Sequence, residues 1–224
     1  MLRFFGVASA QAWERVCASQ ATLFRVPAAT LKANHGNLAA WLRKGEIEAI
    51  WTECGPFDSG LFRETLRTAH ELTRENLGTY LPALQDACAK AGVAVVLVPA
   101  LPSPASKPGP SGKPRPEAVP RLAAGGRIIG AVRWLGPEKA LIQVNPAGFE
   151  TEDDFWFTFL HQAGHLLLHG KRRGFLESAY GAADAGGARS TGSVVRSESG
   201  GDTTEEDEAD RFAFNLYRPS NTGN

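Results

Sequence analysis

Two histidines four residues apart, His161 and His165, are the residues of this chain best placed to do chemistry. They lie in the run FWFTFLHQAGHLLLHG (155–170), which is apolar nearly all round and therefore reads as a buried helix. Positions i and i+4 share one helix face, one turn apart, so two imidazoles there can reach the same ion. A buried imidazole must also satisfy its ring nitrogens. The pair therefore either holds a metal or hydrogen-bonds to other groups, and an HxxxH spacing alone does not choose between them. His169 continues the interval. Near a helix C-terminus its imidazole suits the helix dipole; as a fourth ligand it would make the site closed and structural.

A tetrahedral zinc site with an open position needs a third protein ligand. The segment TTEEDEADRFAFNLYRP (203–219) offers several acids at the start of an amphipathic helix. Glu206 lines up with Ala209 or Asp210, Ala213 and Leu216, which directs it toward the core and makes it the preferred ligand. Asp210, one turn on, is placed to orient a histidine by accepting its second N–H. Glu205 is the rival, since it shares a face with Glu208, Ala209 and Phe212. The plainer reading is that these acids complement the helix N-terminus and stay in water.

The elements that must position these residues follow from the pattern upstream. Helices are expected at SAQAWERVCAS, with Ser9 as N-cap, and at NLAAWLRKGEIEAIW, with Leu38, Trp41, Leu42, Ile47 and Ile50 on a stripe. DSGLFRETLRTAHELTREN places Phe62, Leu66, Ala69 and Leu72 or Thr73 on one face, and YLPALQDACAKAG is a short helix closed by Gly92. VAVVLVP (93–99) is a buried strand, and RIIGAVRWL (127–135) and KALIQVN (139–145) form a hairpin turning at Gly136-Pro137. Thr151 and Asp154 have capping-box spacing ahead of the histidine helix. Segments 100–126 and 178–202, rich in Pro, Gly, Ser and Ala, are expected to be flexible loops.

The remaining composition mostly excludes. Net charge is zero over 224 residues, so nothing global draws the chain to nucleic acid or an anionic surface. No apolar run is long enough to span a bilayer, and the N-terminus lacks the pattern of a signal peptide. A cytoplasmic protein without direct nucleic-acid or membrane binding is expected. Cys17, Cys54 and Cys88 form no metal pair or disulfide framework. His35 and His70 read as surface or satisfied histidines, Trp134, Phe155, Trp156 and Phe157 as core. Arg133, beside a strand, could hold a peptide carbonyl or carboxylate.

FWFTFLHQAGHLLLHG followed by EEDEADRFAFNLYRP resembles the ImmA/IrrE family of metallopeptidases. Their pattern is a helix with F-x-x-x-HExxH-x-LLH, then a helix with E-x-x-A-N/D-x-FA-x-x-L-x-x-P. The second part is matched at Glu206, Ala209, Asp210, Phe212, Ala213, Leu216 and Pro219. GAVRWL, KALIQVN, GVAVVLVP and the opening LRFFGVAS extend the likeness upstream; the opening is similar to the segment after an Xre-type helix-turn-helix in fused members. The loops around 100–126 and 178–202 are not covered. The resemblance implies a gluzincin-like site with Zn2+ held by His161, His165 and Glu206. It also implies action on helix-turn-helix repressors in stress or phage responses, including toxin–antitoxin-type regulation.

One residue departs from that pattern. In HExxH the glutamate is the general base that takes a proton from the attacking water. Position 162 is Gln, an amide of the same shape that cannot accept a proton at neutral pH. Either the chain is an inactivated form of a hydrolase, the favoured reading, or it is a non-catalytic module that binds a metal or ligand and controls a DNA-binding partner. A third reading is an interaction domain whose histidines bind no metal. The expected architecture is α+β and zincin-like: an N-terminal helical segment over 1–52, a metallopeptidase-type domain over 53–219 with a small sheet, and a tail over 220–224.

Overall fold

The computed structural model describes residues 2–24, 28–69, 77–99, 127–149, 151–179 and 203–217. Among them are seven helices and one mixed four-stranded sheet, so the fold is α+β. The helices are α1 (Leu2–Phe5), α2 (Ala10–Leu23), α3 (Ala28–Trp51), α4 (Ser59–Ala69), α5 (Leu77–Lys90), α6 (Glu152–Leu168) and α7 (Thr203–Leu216). The strands are β1 (Val93–Leu97), β2 (Arg127–Trp134), β3 (Ala140–Val144) and β4 (Phe175–Ala179), in the order β1-β3-β2-β4. No described helix is long and apolar enough to cross a membrane.

The hairpin forms as expected: β2 and β3 pair antiparallel, and Leu135 and Gly136 both donate backbone N–H groups to Lys139 O across the turn. β1 joins β3 in parallel, with Val93 opposite Ala140 and Leu97 opposite Val144. Period-two alternation sends successive side chains to opposite faces. Val93, Val95, Val132, Ile142 and Val144 join a core with α4, α5, α6 and α7. Ala94, Val96, Ala131, Leu141 and Leu176 join a second core under α3, around Leu38, Trp41 and Leu42. The sheet is therefore the middle of three layers.

Two expectations change, and a third takes a specific form. The stripe on α3 does not extend to Ile50, which is 58% exposed; Ala49 takes the buried position. Arg133, read as able to hold a peptide carbonyl or carboxylate, holds one of each within the chain. It lies on the face toward α3, where it pairs with Glu46 at 3.2 Å and donates to Leu42 O. Ser178 and Ala179, read as the start of a mobile segment, are in β4 and pair with Ile128 and Arg127. The rest of that segment, all of 100–126, Leu72, Thr73, His70 and the tail lie outside the described residues, as does the side chain of His35. Cys17 and Cys88 are buried free thiols and Cys54 is half-buried.

Candidate metal centre

α6 begins with the full capping box: Thr151 Oγ1 accepts from Asp154 N–H, and Asp154 accepts from Thr151 N–H at 2.9 Å. From that fixed start the helix runs through the interior, burying every residue from Thr158 to Leu166. α7 packs against it at close range. A Cβ added at Gly164 would lie 3.2 Å from Ala209 Cα and 3.2 Å from the Phe212 ring. The missing side chain at 164 and the small one at Ala209 let the two backbones approach, which brings the first turn of α7 over the histidines.

The consequence is a cluster of three ligand atoms. His161 Nε2 and His165 Nε2 are 3.0 Å apart, and Glu206 Oε2 is 3.3 Å from the first and 3.4 Å from the second. Both histidines are at most 3% exposed. Among the described residues, His161, His165 and Glu206 are the group of metal-ligating side chains close enough to share an ion. Glu205, the rival, points elsewhere and pairs with Arg173.

Residues around the cluster fix which nitrogen faces it. Asp210 Oδ1 lies 2.9 Å from His161 Nδ1. A carboxylate only accepts, so Nδ1 carries a hydrogen, and Nε2 is the nitrogen that turns a lone pair toward the cluster once its own proton is displaced. On the other side His165 Nδ1 meets His169 Nδ1 at 2.9 Å, and His169 Nε2 meets Glu208 at 3.2 Å. By the same logic Glu208 takes the Nε2–H of His169, whose Nδ1 then accepts from His165. His165 Nε2 is left with its lone pair inward. The ring of Phe175 from β4 stacks on His165, centroids 3.8 Å apart. His169, first read as a dipole partner, thus acts as a link between His165 and an acid of α7.

The charges fit a cation. Burial pushes the His161 imidazole down, but Glu177, Asp210 and Glu206 outweigh it and hold it at about 10. His165 is held down at about 4, first by burial, with His161 and His169 adding to the effect against Glu206. Burial would raise Glu206, yet the two histidines hold it well below the usual carboxylate range.

Compared with family models, with curated proteins and with solved structures, the chain matches none of them. The site is therefore read on its own geometry.

That geometry contains a residue the sequence reading missed. Glu177 on β4 is 1% exposed and reaches α6. Its Oε2 accepts from Gln162 Nε2 at 3.0 Å and its Oε1 from Thr158 Oγ1 at 3.3 Å. Burial pushes the Glu177 carboxyl up, against the charge of His161 and these two hydrogen bonds. The signal was present in GFLESA (174–179), where the acid occupies the same alternation phase as Phe175.

Proposed function

We propose that this chain is a zincin-like, zinc-dependent metallopeptidase-type domain of the cytoplasm that engages a protein partner. The partner class is a helix-turn-helix transcriptional repressor in a stress or phage-type response. One observation supports the metal most directly. An ion with bonds of about 2.0–2.1 Å to tetrahedral ligands places those ligand atoms roughly 3.3–3.4 Å apart. The three ligand atoms lie 3.0, 3.3 and 3.4 Å apart.

His161, His165 and Glu206 would hold the ion. When bound, zinc supplies a Lewis acid that polarises a carbonyl and makes water more acidic. Asp210 and the His169–Glu208 pair hold the imidazoles in the tautomers the ion needs. Gln162 stands where a hydrolase carries its base, and an amide cannot take the proton. General-base help is worth about 10²–10⁴-fold, so hydrolysis by the chain as it stands is expected to be slow or absent. The repressor partner rests on the likeness of the two motif helices to the ImmA/IrrE pattern.

A second reading, a regulatory module that binds metal and partner without cleaving, is favoured by one observation: the Gln162 amide is not idle but donates to Glu177.

The first test is metal content of the purified protein by elemental analysis. About one zinc per chain, lost in His165→Ala and Glu206→Ala, is expected; no zinc, and no uptake when it is offered, overturns both readings. Cleavage of a candidate repressor by zinc-loaded protein carrying Gln162→Glu, alone or together with Glu177→Gln, would then favour the peptidase. Binding of that repressor without cleavage would favour the module.

A further inference from the structure

We propose that Gln162 and Glu177 are a matched pair: the buried carboxylate of this site belongs to β4, and α6 carries an amide at 162 because a neutral donor is what fits against it. This deepens the metallopeptidase-type reading and rests on it for what the site does.

The carboxylate sits in a cradle drawn from two elements. α6 supplies two donors, Thr158 Oγ1 to Glu177 Oε1 and Gln162 Nε2 to Glu177 Oε2. β2 supplies room. Gly130 lies opposite Glu177 in the antiparallel register, beside an irregularity in the pairing. A Cβ at 130 would come within 3.0 Å of Thr158 Cγ2, 3.2 Å of Glu177 Oε2 and 3.4 Å of Gln162 Nε2. A glycine inside a strand often marks such a close approach. Glycine, hydroxyl and amide thus converge on one acid, and each suits it in a different way.

A glutamate at 162 breaks this arrangement. An ionised carboxylate has no hydrogen to give, so Glu177 Oε2 would lose its partner. Two carboxylates at hydrogen-bond distance in a buried place either repel or share one proton at a cost. The amide avoids both, and its Oε1 remains a buried acceptor without a hydrogen bond to any described residue. That oxygen can orient an N–H or a water hydrogen but cannot carry a proton away. Gln162 is therefore the residue this site is built to hold. A base on α6 requires exchanging the pair, with the carboxylate moved from 177 to 162.

The test is a double-mutant cycle on the full chain: the parent, Gln162→Glu, Glu177→Gln and the double variant. Each is melted at about pH 8, where free carboxylates are ionised, with chelator and with added zinc, and its bound zinc is counted. Gln162→Glu is expected to lower the melting temperature by about 5 °C or more, and Glu177→Gln to recover most of that loss in the double variant. Rescue by an isosteric amide is not expected of a residue that merely fills space. An equal loss in both backgrounds, or none in either, overturns the pairing. If Gln162→Glu does not fold, recovery of a cooperative transition by the second change supports the pair, and failure of the double variant refutes it. Coupling without any zinc binding would leave the pair standing and refute the metal reading. Zinc binding with additive effects would do the reverse.

Discussion

The two faces of the sheet both bury polar side chains, and they use them differently. Toward α3, Gln143 donates to Trp41 O at 2.7 Å, Arg133 donates to Leu42 O, and Trp41 Nε1 donates to Val98 O at 2.8 Å. Apart from the ion pair of Arg133 with Glu46, these polar groups hand their hydrogen bonds to backbone carbonyls, and the result is a docked helix. Toward α6 and α7 the polar groups bond one another: Gln162 and Thr158 to Glu177, His161 to Asp210, His165 to His169. Backbone partners fix position. Side-chain partners arranged around inward lone pairs leave a place for a cation. Burial of polar groups alone does not mark a functional face; where their hydrogen bonds end does.

Substitutions can break this contrast. Replacing His161, His165 or Glu206 by Ala is expected to weaken zinc binding by more than about 100-fold, beyond what loss of an outer partner costs. Competition with a chelating dye would measure it. Asp210→Asn and His169→Ala disturb only the tautomers, and about 10–100-fold weaker zinc binding is expected from each in the same assay. On the opposite face, Gly45→Ala would drive a methyl into the Gln143 side chain. A loss of about 1–3 kcal/mol in urea unfolding is expected, with zinc affinity unchanged. A fall in zinc affinity there would mean that the two faces are not independent.

A further effect is in pH. In chelator-treated protein His161 is raised from 6.5 to about 10, so its contribution to stability is fully present below pH 6.5 and lost as pH rises through about 10. His165 is lowered to about 4, so its contribution is present above pH 6.5 and lost as pH falls toward 4. Stability from this site should peak near pH 6.5 and fall on both sides. Urea unfolding at about pH 5, 6.5 and 9 checks this. Zinc should remove the alkaline loss, because it displaces the His161 proton, and calorimetry in two buffers should register about one proton released per ion at neutral pH.

Much of this was legible in the sequence. The four-residue interval put His161 and His165 on one face, and the apolar run around them announced burial. β1, β2 and β3 stood out as short β-branched runs, and Thr151 marked the start of α6. Other features needed coordinates. Glu205 and Glu206 differ by one step of 100°, so periodicity left both near the helix face, and the ion pair with Arg173 separates them. The phase of β2 could not say which face Arg133 takes. β4 was missed because five residues beside a Gly- and Ala-rich stretch carry too little pattern, and Glu177 was missed with it. The role of His169 depends on Glu208 across a helix interface, which spacing on one helix cannot reveal.

Gly164 has a last consequence, in ion size. The close approach at Ala209 sets how far α7 stands from α6 and hence how far Glu206 lies from the two imidazoles. Zinc bonds of about 2.0–2.1 Å and calcium bonds of about 2.3–2.6 Å differ by only a few tenths of an ångström. An added methyl at 164 would spread the helices by a similar amount. The choice among cations of different radius would then be governed by a residue that has no side chain and touches none of the ligand atoms.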